Sequence, residues 1–553
     1  MRRSIRRADV QTSDVRHRVP RRAVCGALLM LLSGAGCGTQ PRASSPTPRV
    51  QPATGAPSVP TTDAATTPTA GLQSAPIIRA AWADVGVLTP FRVSTAGPGG
   101  AVMLTLLYDT LTWKDEHGTI PWLASGWEAA PDGRSYTFTL AAGARWHDGQ
   151  PLTADDVAFS FDYYARHPFR WMSTAMVEGA DVLTPTNVRV RVTQPYAPFL
   201  DDIAGVLPII PKHIWSRVED PNTYDATDAS VGSGPFTLAE YRSAEGAYRL
   251  KVNPAYFKGK VIVREYQQLN TPAETTIQAL QQGQLDLALA TDASVADVFK
   301  DNPKVKVFET QPLSVVRLAV NTERAPLDNV EVRQAIAYAL DRAKIAQTIT
   351  KEAPVIAGVG AVPPESPWFN PAIHAYPFDV EKARSLLHGQ QLTVELLADP
   401  SSREPDLMQP MLRAVGITLV TRRVDSKTRT QLLREKNFQL GLVQHIGVGA
   451  DPDFLRRWYA NEEANDFAQG SVFQNARYTQ LGRDEATMLD PAKRKELVAA
   501  MQAIIADELP TIVLYHRRFS WVYDSTKLTP MHTSGGLING APLIQNKLTF
   551  LQR

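Results

Sequence analysis

Paired carboxylates are the residues here with the plainest capacity for chemistry. Asp155-Asp156 and Asp201-Asp202 could act as general acid and base if their side chains faced one another across a substrate. Acidic neighbours in sequence more commonly mark solvated faces or helix starts. The chain has no HExxH pair, no Walker phosphate loop, no GxSxG elbow and no cysteines at metal-ligand spacing, so the usual hydrolase and metal signatures are missing. His147 stands in Trp146-His147-Asp148-Gly149, a turn dipeptide beside aromatics, where packing or a structural hydrogen bond outranks a role as base or ligand. No catalytic residue, metal or cofactor is assigned from these residues. A secreted carboxylate-dependent hydrolase stays as the enzymatic alternative.

Cysteine chemistry is confined to the N-terminus. Arg16, Arg18, Arg21 and Arg22 precede an apolar run from Ala23 to Leu32, then Ser33-Gly34-Ala35-Gly36-Cys37, the charged, apolar, small-residue order of a secretory signal over residues 1–36. The small residues before Cys37 resemble the lipobox of bacterial lipoproteins, with Gly34 where that motif usually has Leu. The resemblance implies cleavage before Cys37 and acylation of its thiol. The other cysteine, Cys25, would leave with the signal, so the exported body has no disulfide and must rest on a large core. Residues 1–36 hold eight Arg and two Asp, so their removal turns a formal charge of +2 into −4. No basic stripe then remains to indicate nucleic acid.

The elements that must position any site follow from the rest of the chain. Residues 37–75, rich in Pro, Ser, Thr, Ala and Gly, cannot bury enough apolar surface to offset their ordering entropy and read as a tether. With 44% apolar and 21% charged residues over 553 positions and a mean hydropathy of −0.20, the body has the composition of a globular protein without a spanning helix. Tyr136, Phe138 and Leu140 alternate with Ser and Thr, the period of a half-buried strand. Thr153 with Asp156, and Thr271-Pro272-Ala273-Glu274 with Gly283 beyond, predict capped helices. Asp379 to Gly389 and Asp490-Pro491 to Leu509-Pro510 repeat that grammar. Strands and helices alternate without a short repeat, which points to α/β lobes and away from a repetitive adhesin.

From Pro76 to the C-terminus several segments resemble bacterial extracellular solute-binding proteins of family 5, the oligopeptide-, dipeptide- and nickel-binding proteins of ABC importers. The most specific is Pro121 to Tyr164, with Trp127, Asp132-Gly133, Trp146-His147-Asp148-Gly149 and Thr153-Ala154-Asp155-Asp156-Val157. Others are Gly232-Ser233-Gly234-Pro235-Phe236, Asn253-Pro254-Ala255-Tyr256-Phe257, Leu280 to Asp286, Val320-Asn321-Thr322, Val415-Gly416-Ile417, Asp451-Pro452-Asp453-Phe454 and Leu509-Pro510-Thr511-Ile512. Read from its residues, the first segment is a hairpin and a capped helix, hence structural.

The resemblance implies a two-lobed α/β fold of the periplasmic-binding-protein kind (type II), with an extra domain inserted in the first lobe. Carried over, residues 76–120, 207–318 and 514–553 form lobe I, 121–206 the insertion and 319–513 lobe II. It further implies a monomer that captures a peptide or related small solute between the lobes, delivers it to ABC permease and ATPase subunits, and meets the membrane only through its lipid, on the outer face of the cytoplasmic membrane or in the periplasm. Ligand-binding candidates are Tyr108, Asn321, Gln444, His445, Asp451, Tyr515, His516 and Trp521. Peptide-binding members place an Asp three residues before the Asp-Pro step, to pair with the peptide's α-ammonium group. Here that position is Val448. Either Asp451 takes over the role, or the ligand lacks a free α-amine, which keeps saccharides, metal chelates and blocked peptides open.

Overall fold

A computed structural model describes residues 75–94, 99–115, 117–290, 295–310, 314–351, 358–446, 451–460, 472–530 and 546–552, with residues 312, 355 and 356. Cys37, the signal, the tether and Val448 lie outside the described residues.

Local sequence grammar sets most element ends. In the strand Ser135–Leu140, Tyr136, Phe138 and Leu140 are buried, as a period of two requires. Thr153 and Asp156 close a capping box at the start of the helix Ala154–Arg166. Asp379 accepts from Lys382 N at 2.8 Å and Asp490 from Ala492 N at 2.9 Å, starting the helices Val380–Leu387 and Pro491–Glu508. The expected box at Thr271 does not form. Pro272, which has no side-chain acceptor, takes the capping position of the helix Ala273–Gln281, and the Thr271 hydroxyl donates to Leu269 O. Gly283, at φ +66°, ends that helix as expected.

Two mixed sheets organise the body. The first orders its strands Val305–Glu309, Ser520–Asp524, Leu287–Ala290, Ile77–Ala81, Glu265–Leu269, Ala247–Val252 and Phe236–Arg242. The second orders Ile417–Arg423, Leu392–Ala398, Leu440–Ile446, Ser314–Val320 and Thr511–Arg517. The chain passes from the first sheet to the second between Glu309 and Ser314, and returns between Arg517 and Ser520. Because Ile77–Ala81 runs parallel to its neighbours Glu265–Leu269 and Leu287–Ala290, and Leu392–Ala398 parallel to Ile417–Arg423 and Leu440–Ile446, both sheets turn the carboxyl ends of these strands toward the passages. In open α/β sheets, ligands bind outside those ends.

The expected lobe boundaries need correction by this strand membership. Residues 314–318 and 514–517 sit in the second sheet, where Ser314 pairs with Arg517 and with Ile446. Residues 319 and 513, the expected limits of lobe II, lie inside strands and not at the passages.

The inserted segment forms an antiparallel sheet of Ala124–Ala129, Ser135–Leu140, Asn187–Val192 and Val177–Thr184, backed by the helix Ala154–Arg166. It is anchored to the first lobe by its turn residues. His147 Nε2 donates to Gly234 O at 3.1 Å while its Nδ1 accepts from Gly232 N at 3.1 Å, which fixes one neutral tautomer. Burial holds this imidazole down to about 4. Asp156 also accepts from Lys212 N at 3.0 Å, so the signature segment is structural. The C-terminus closes the first lobe: wholly buried Lys547 donates to Asp109 at 2.6 Å and to Tyr108 O at 2.9 Å.

Candidate functional site

Trp82 follows the carboxyl end of Ile77–Ala81 and stacks on Trp521, with ring centroids 5.6 Å apart and planes 19° from parallel. The stack is close to the backbone as well: a Cβ on Gly99 would come within 1.7 Å of the Trp82 indole nitrogen, so only glycine fits there. Trp521 itself is fully buried, with half-buried Trp82 covering it.

The second-lobe candidates divide by which face of a strand they occupy. Gln444 is exposed and donates to Ser314 Oγ at 3.2 Å, beside the passage between the sheets. His445 points inward, 4.4 Å from the Trp458 ring, with its Nε2 3.1 Å from Arg317. Burial, reinforced by the Arg317 charge, keeps His445 neutral by pushing it well below the usual imidazole range. Tyr515 donates to Glu404 at 2.7 Å, and His516 donates to Ala361 O at 3.2 Å; burial lowers His516 to about 4. Asn321 gives its amide hydrogens to Lys436 O and Phe438 O, each at 3.1 Å. Tyr108 donates to Ala229 O at 2.9 Å inside the first-lobe core. Tyr108, Asn321, Tyr515 and His516 are thus buried and engaged within their own lobes.

Asp451 opens an ionic network that sequence reading only touched. Both its carboxylate oxygens receive hydrogen bonds from Arg494, at 2.7 and 2.6 Å, and Arg494 also donates to Glu485 at 2.9 Å. Asp453 accepts from Arg456 at 2.6 and 3.0 Å and lies 3.4 Å from Arg457. From the inserted domain, Tyr196 donates to Asp453 at 2.9 Å, Asp202 pairs with Arg457 at 3.3 Å, and Ala197 N donates to Ala486 O at 2.7 Å. Burial opposes ionisation of Asp453, but Arg456 and Arg457 outweigh it and hold that carboxyl well below the usual range. Asp202 goes the other way: burial raises it to about 7, with the nearby Asp451 and Asp453 charges adding and Arg457 opposing.

Beside this network lies a cavity of about 440 Å³ between the inserted domain and the helix Phe454–Tyr459. Its lining includes the apolar Phe169, Trp171, Met172 and Met176 and the charged Arg170, Asp202, Arg456 and Arg457. This volume suits a small-molecule pocket. Asp202 entered the sequence reading only as half of an acidic pair, and Arg456-Arg457 only as followers of Asp451-Pro452-Asp453-Phe454. Trp171 and Tyr196 carried no signal at all: no motif marks Trp171, which packs on Phe169, and the partner of Tyr196, Asp453, lies 257 positions away. Among the described residues no group of His, Cys, Asp and Glu could hold a metal ion, and no helix is long and apolar enough to cross a membrane.

Two α/β lobes joined by paired passages form the architecture of periplasmic-type solute-binding proteins. The comparisons make the assignment narrower. The family described as bacterial extracellular solute-binding proteins, family 5, matches residues 118–467, and the chain belongs to it. The heme-binding protein A of Haemophilus influenzae is 27% identical over 434 residues, which cover 72% of this chain and 78% of that protein. The dipeptide-binding protein of Escherichia coli is 26% identical over 72% of this chain and 81% of its own length, and the nickel-binding periplasmic protein of that organism 26% over 68% and 76%. Among solved structures, the binding protein DppA of Helicobacter pylori in complex with the peptide STSA matches with a TM-score of 0.72 at 22% identity, over 86% of this chain and 98% of that one. The ABC transporter substrate-binding protein CtaP of Listeria monocytogenes matches with a TM-score of 0.73 at 22% identity, over 85% and 99%. At such identity the structures bear on the fold alone.

Proposed function

We propose that this protein is the substrate-binding lipoprotein of an ABC importer, holding a small solute between its lobes and passing it to a membrane permease with its ATPase. The observation that carries the reading is the contact of the inserted domain with the second lobe through Tyr196, Ala197 and Asp202. Two bodies linked by short passages and joined by a few polar contacts can part and close again about a solute. A solute that touches both bodies favours the closed form, because only differential affinity shifts such an equilibrium. Lobe I then comprises the first sheet with the insertion, lobe II the second sheet with its helices. Gln444 and the Trp82–Trp521 stack are the candidates that lie at the passages. Cys37 anchors the mature chain to the outer face of the membrane, and the body works as a monomer.

Several solute classes are on the table, since the named relatives bind heme, dipeptides or nickel. Arg494 engages both oxygens of Asp451, which disfavours this carboxylate as an anchor for a peptide's ammonium group and favours a solute without a free α-amine. The test is to purify the protein natively and identify the retained solute by mass spectrometry. Release of a defined small molecule on unfolding supports the reading; a protein that never retains or binds any solute refutes it.

A further inference from the structure

We propose that the seam between the inserted domain and the second lobe is a proton-operated latch, which acid holds shut and a rising pH releases. The proposal rests on the binding-protein reading and adds a regulation to it. The seam carries one acid too many. On the second-lobe side Asp451, Asp453 and Glu485 are matched by Arg456, Arg457 and Arg494, so that side is balanced by itself. The other side brings Asp202 against Arg457 at 3.3 Å, and beside it Asp201 with Lys114 at 3.4 Å. Tyr196 adds only a neutral donor to Asp453. Arg170 lines the adjoining cavity but is exposed, where solvent screens its charge. Contact therefore gathers five carboxyls against four cations, and a buried carboxylate without a cation of its own takes up a proton instead. Two acids are placed to hold it. Glu485 is wholly buried, receives Arg494 on one oxygen and meets no donor at Oε1. Asp202 must share Arg457 with Asp453. Burial raises both carboxyls: at Glu485 the Asp453 and Asp451 charges add to it against Arg494, and at Asp202 the same two charges add to it against Arg457 and Lys114. Because the two acids answer to the same neighbours, the proton belongs to the set and not to either residue. With the two bodies parted, the second-lobe side stays balanced and Asp202 meets water, so no extra proton is held.

A closure that takes up a proton is helped fully below the ordinary carboxyl value of 3.8 and loses that help as pH rises through about 7. Over that window the open-to-closed ratio should climb by up to about tenfold per pH unit. Small-angle scattering of the ligand-free protein at about pH 5 and about pH 8 reads the change, and a larger radius of gyration is expected at the higher pH. Asp202→Asn removes the extra carboxyl and should stay compact at both, a gain that damage to the fold would not produce. An equal radius at the two pH values in wild type, or an expansion that Asp202→Asn leaves unchanged, would each overturn the proposal. If the radius is indifferent to pH while the natively purified protein retains a solute, the latch falls and the binding-protein reading stands. If the radius responds and Asp202→Asn abolishes the response, but no solute is ever retained or bound, the latch stands and that reading falls.

Discussion

Tyr196 reaches from the inserted domain to donate a 2.9 Å hydrogen bond to Asp453, a residue 257 positions further along the chain. Asp453 is wholly buried and already holds Arg456 and Arg457, so the tyrosine adds a neutral donor to a satisfied ionic centre. The bond can be lost without leaving an unpaired charge.

Tyr196→Phe is accordingly expected to cost only about 1 kcal/mol of global stability. Its larger effect should be on the contact between the inserted domain and the second lobe. Small-angle scattering of the ligand-free variant should give a greater radius of gyration than wild type. Saturating solute should restore the compact value, whereas an equal radius in both proteins would mean that the hydrogen bond does not hold the two bodies together.

Asp202 predicts a pH dependence with a definite sign. Its carboxyl is raised from 3.8 to about 7, so the folded protein binds a proton there that the unfolded chain does not. The resulting stabilisation is full below the ordinary carboxyl value and is lost as pH rises through about 7. Thermal unfolding should therefore shift downward as pH rises from about 4 to about 7, and Asp202→Asn should flatten that slope. A slope unchanged by the substitution would assign the titration to another group.

His147 works in the opposite direction. Lowered from 6.5 to about 4 by burial, it contributes stability that is present above its ordinary value and lost as pH falls from there through about 4. His147→Gln should reduce the acid sensitivity of the protein in that window. His516, lowered to a similar value, should keep part of the effect, and the double variant should lose more of it than either single one, as read by urea unfolding at stepped pH.

Asp451→Asn separates a structural from a ligand-binding role. With both oxygens bonded to Arg494, removing the charge leaves a buried guanidinium under-compensated, at a cost of about 3 kcal/mol. The variant should melt lower without changing the ratio of affinities for free and N-acetylated peptides. A loss confined to free peptides would make Asp451 the ammonium anchor after all.

Cys37→Ser should release the mature body from membranes into the medium or soluble fraction. Retention of the variant in the membrane pellet would refute the lipid anchor.

What sequence made legible was the part governed by local rules. Thr153 with Asp156 and Asp490 with Pro491 announced helix starts because a cap and its acceptor lie within one turn. The landmarks gave the order of the segments, and so the lobes, but a landmark fixes a position along a strand and not the face its side chain occupies. Thr511–Arg517 is buried along nearly its whole length, since helices cover both faces of the second sheet; Tyr515 and His516 therefore point opposite ways and both end in packing. The cavity was illegible for a different reason. Arg457 lies 255 positions beyond Asp202, and nothing in a linear pattern brings the two together.

The strand Ser520–Asp524 lies between Leu287–Ala290 and Val305–Glu309, and Lys547 closes over Asp109. The first lobe thus borrows part of its interior from residues that follow the second lobe, while the second lobe runs unbroken from Ser314 to Arg517. During vectorial synthesis or export, the second lobe can form as soon as it emerges, and the first must wait, its sheet incomplete, until Ser520–Asp524 arrives. A chain stopped short of Ser520 would carry a sound second lobe on an unfinished first, open along the strands that should flank Trp521, and quality control would meet it as a half-molecule.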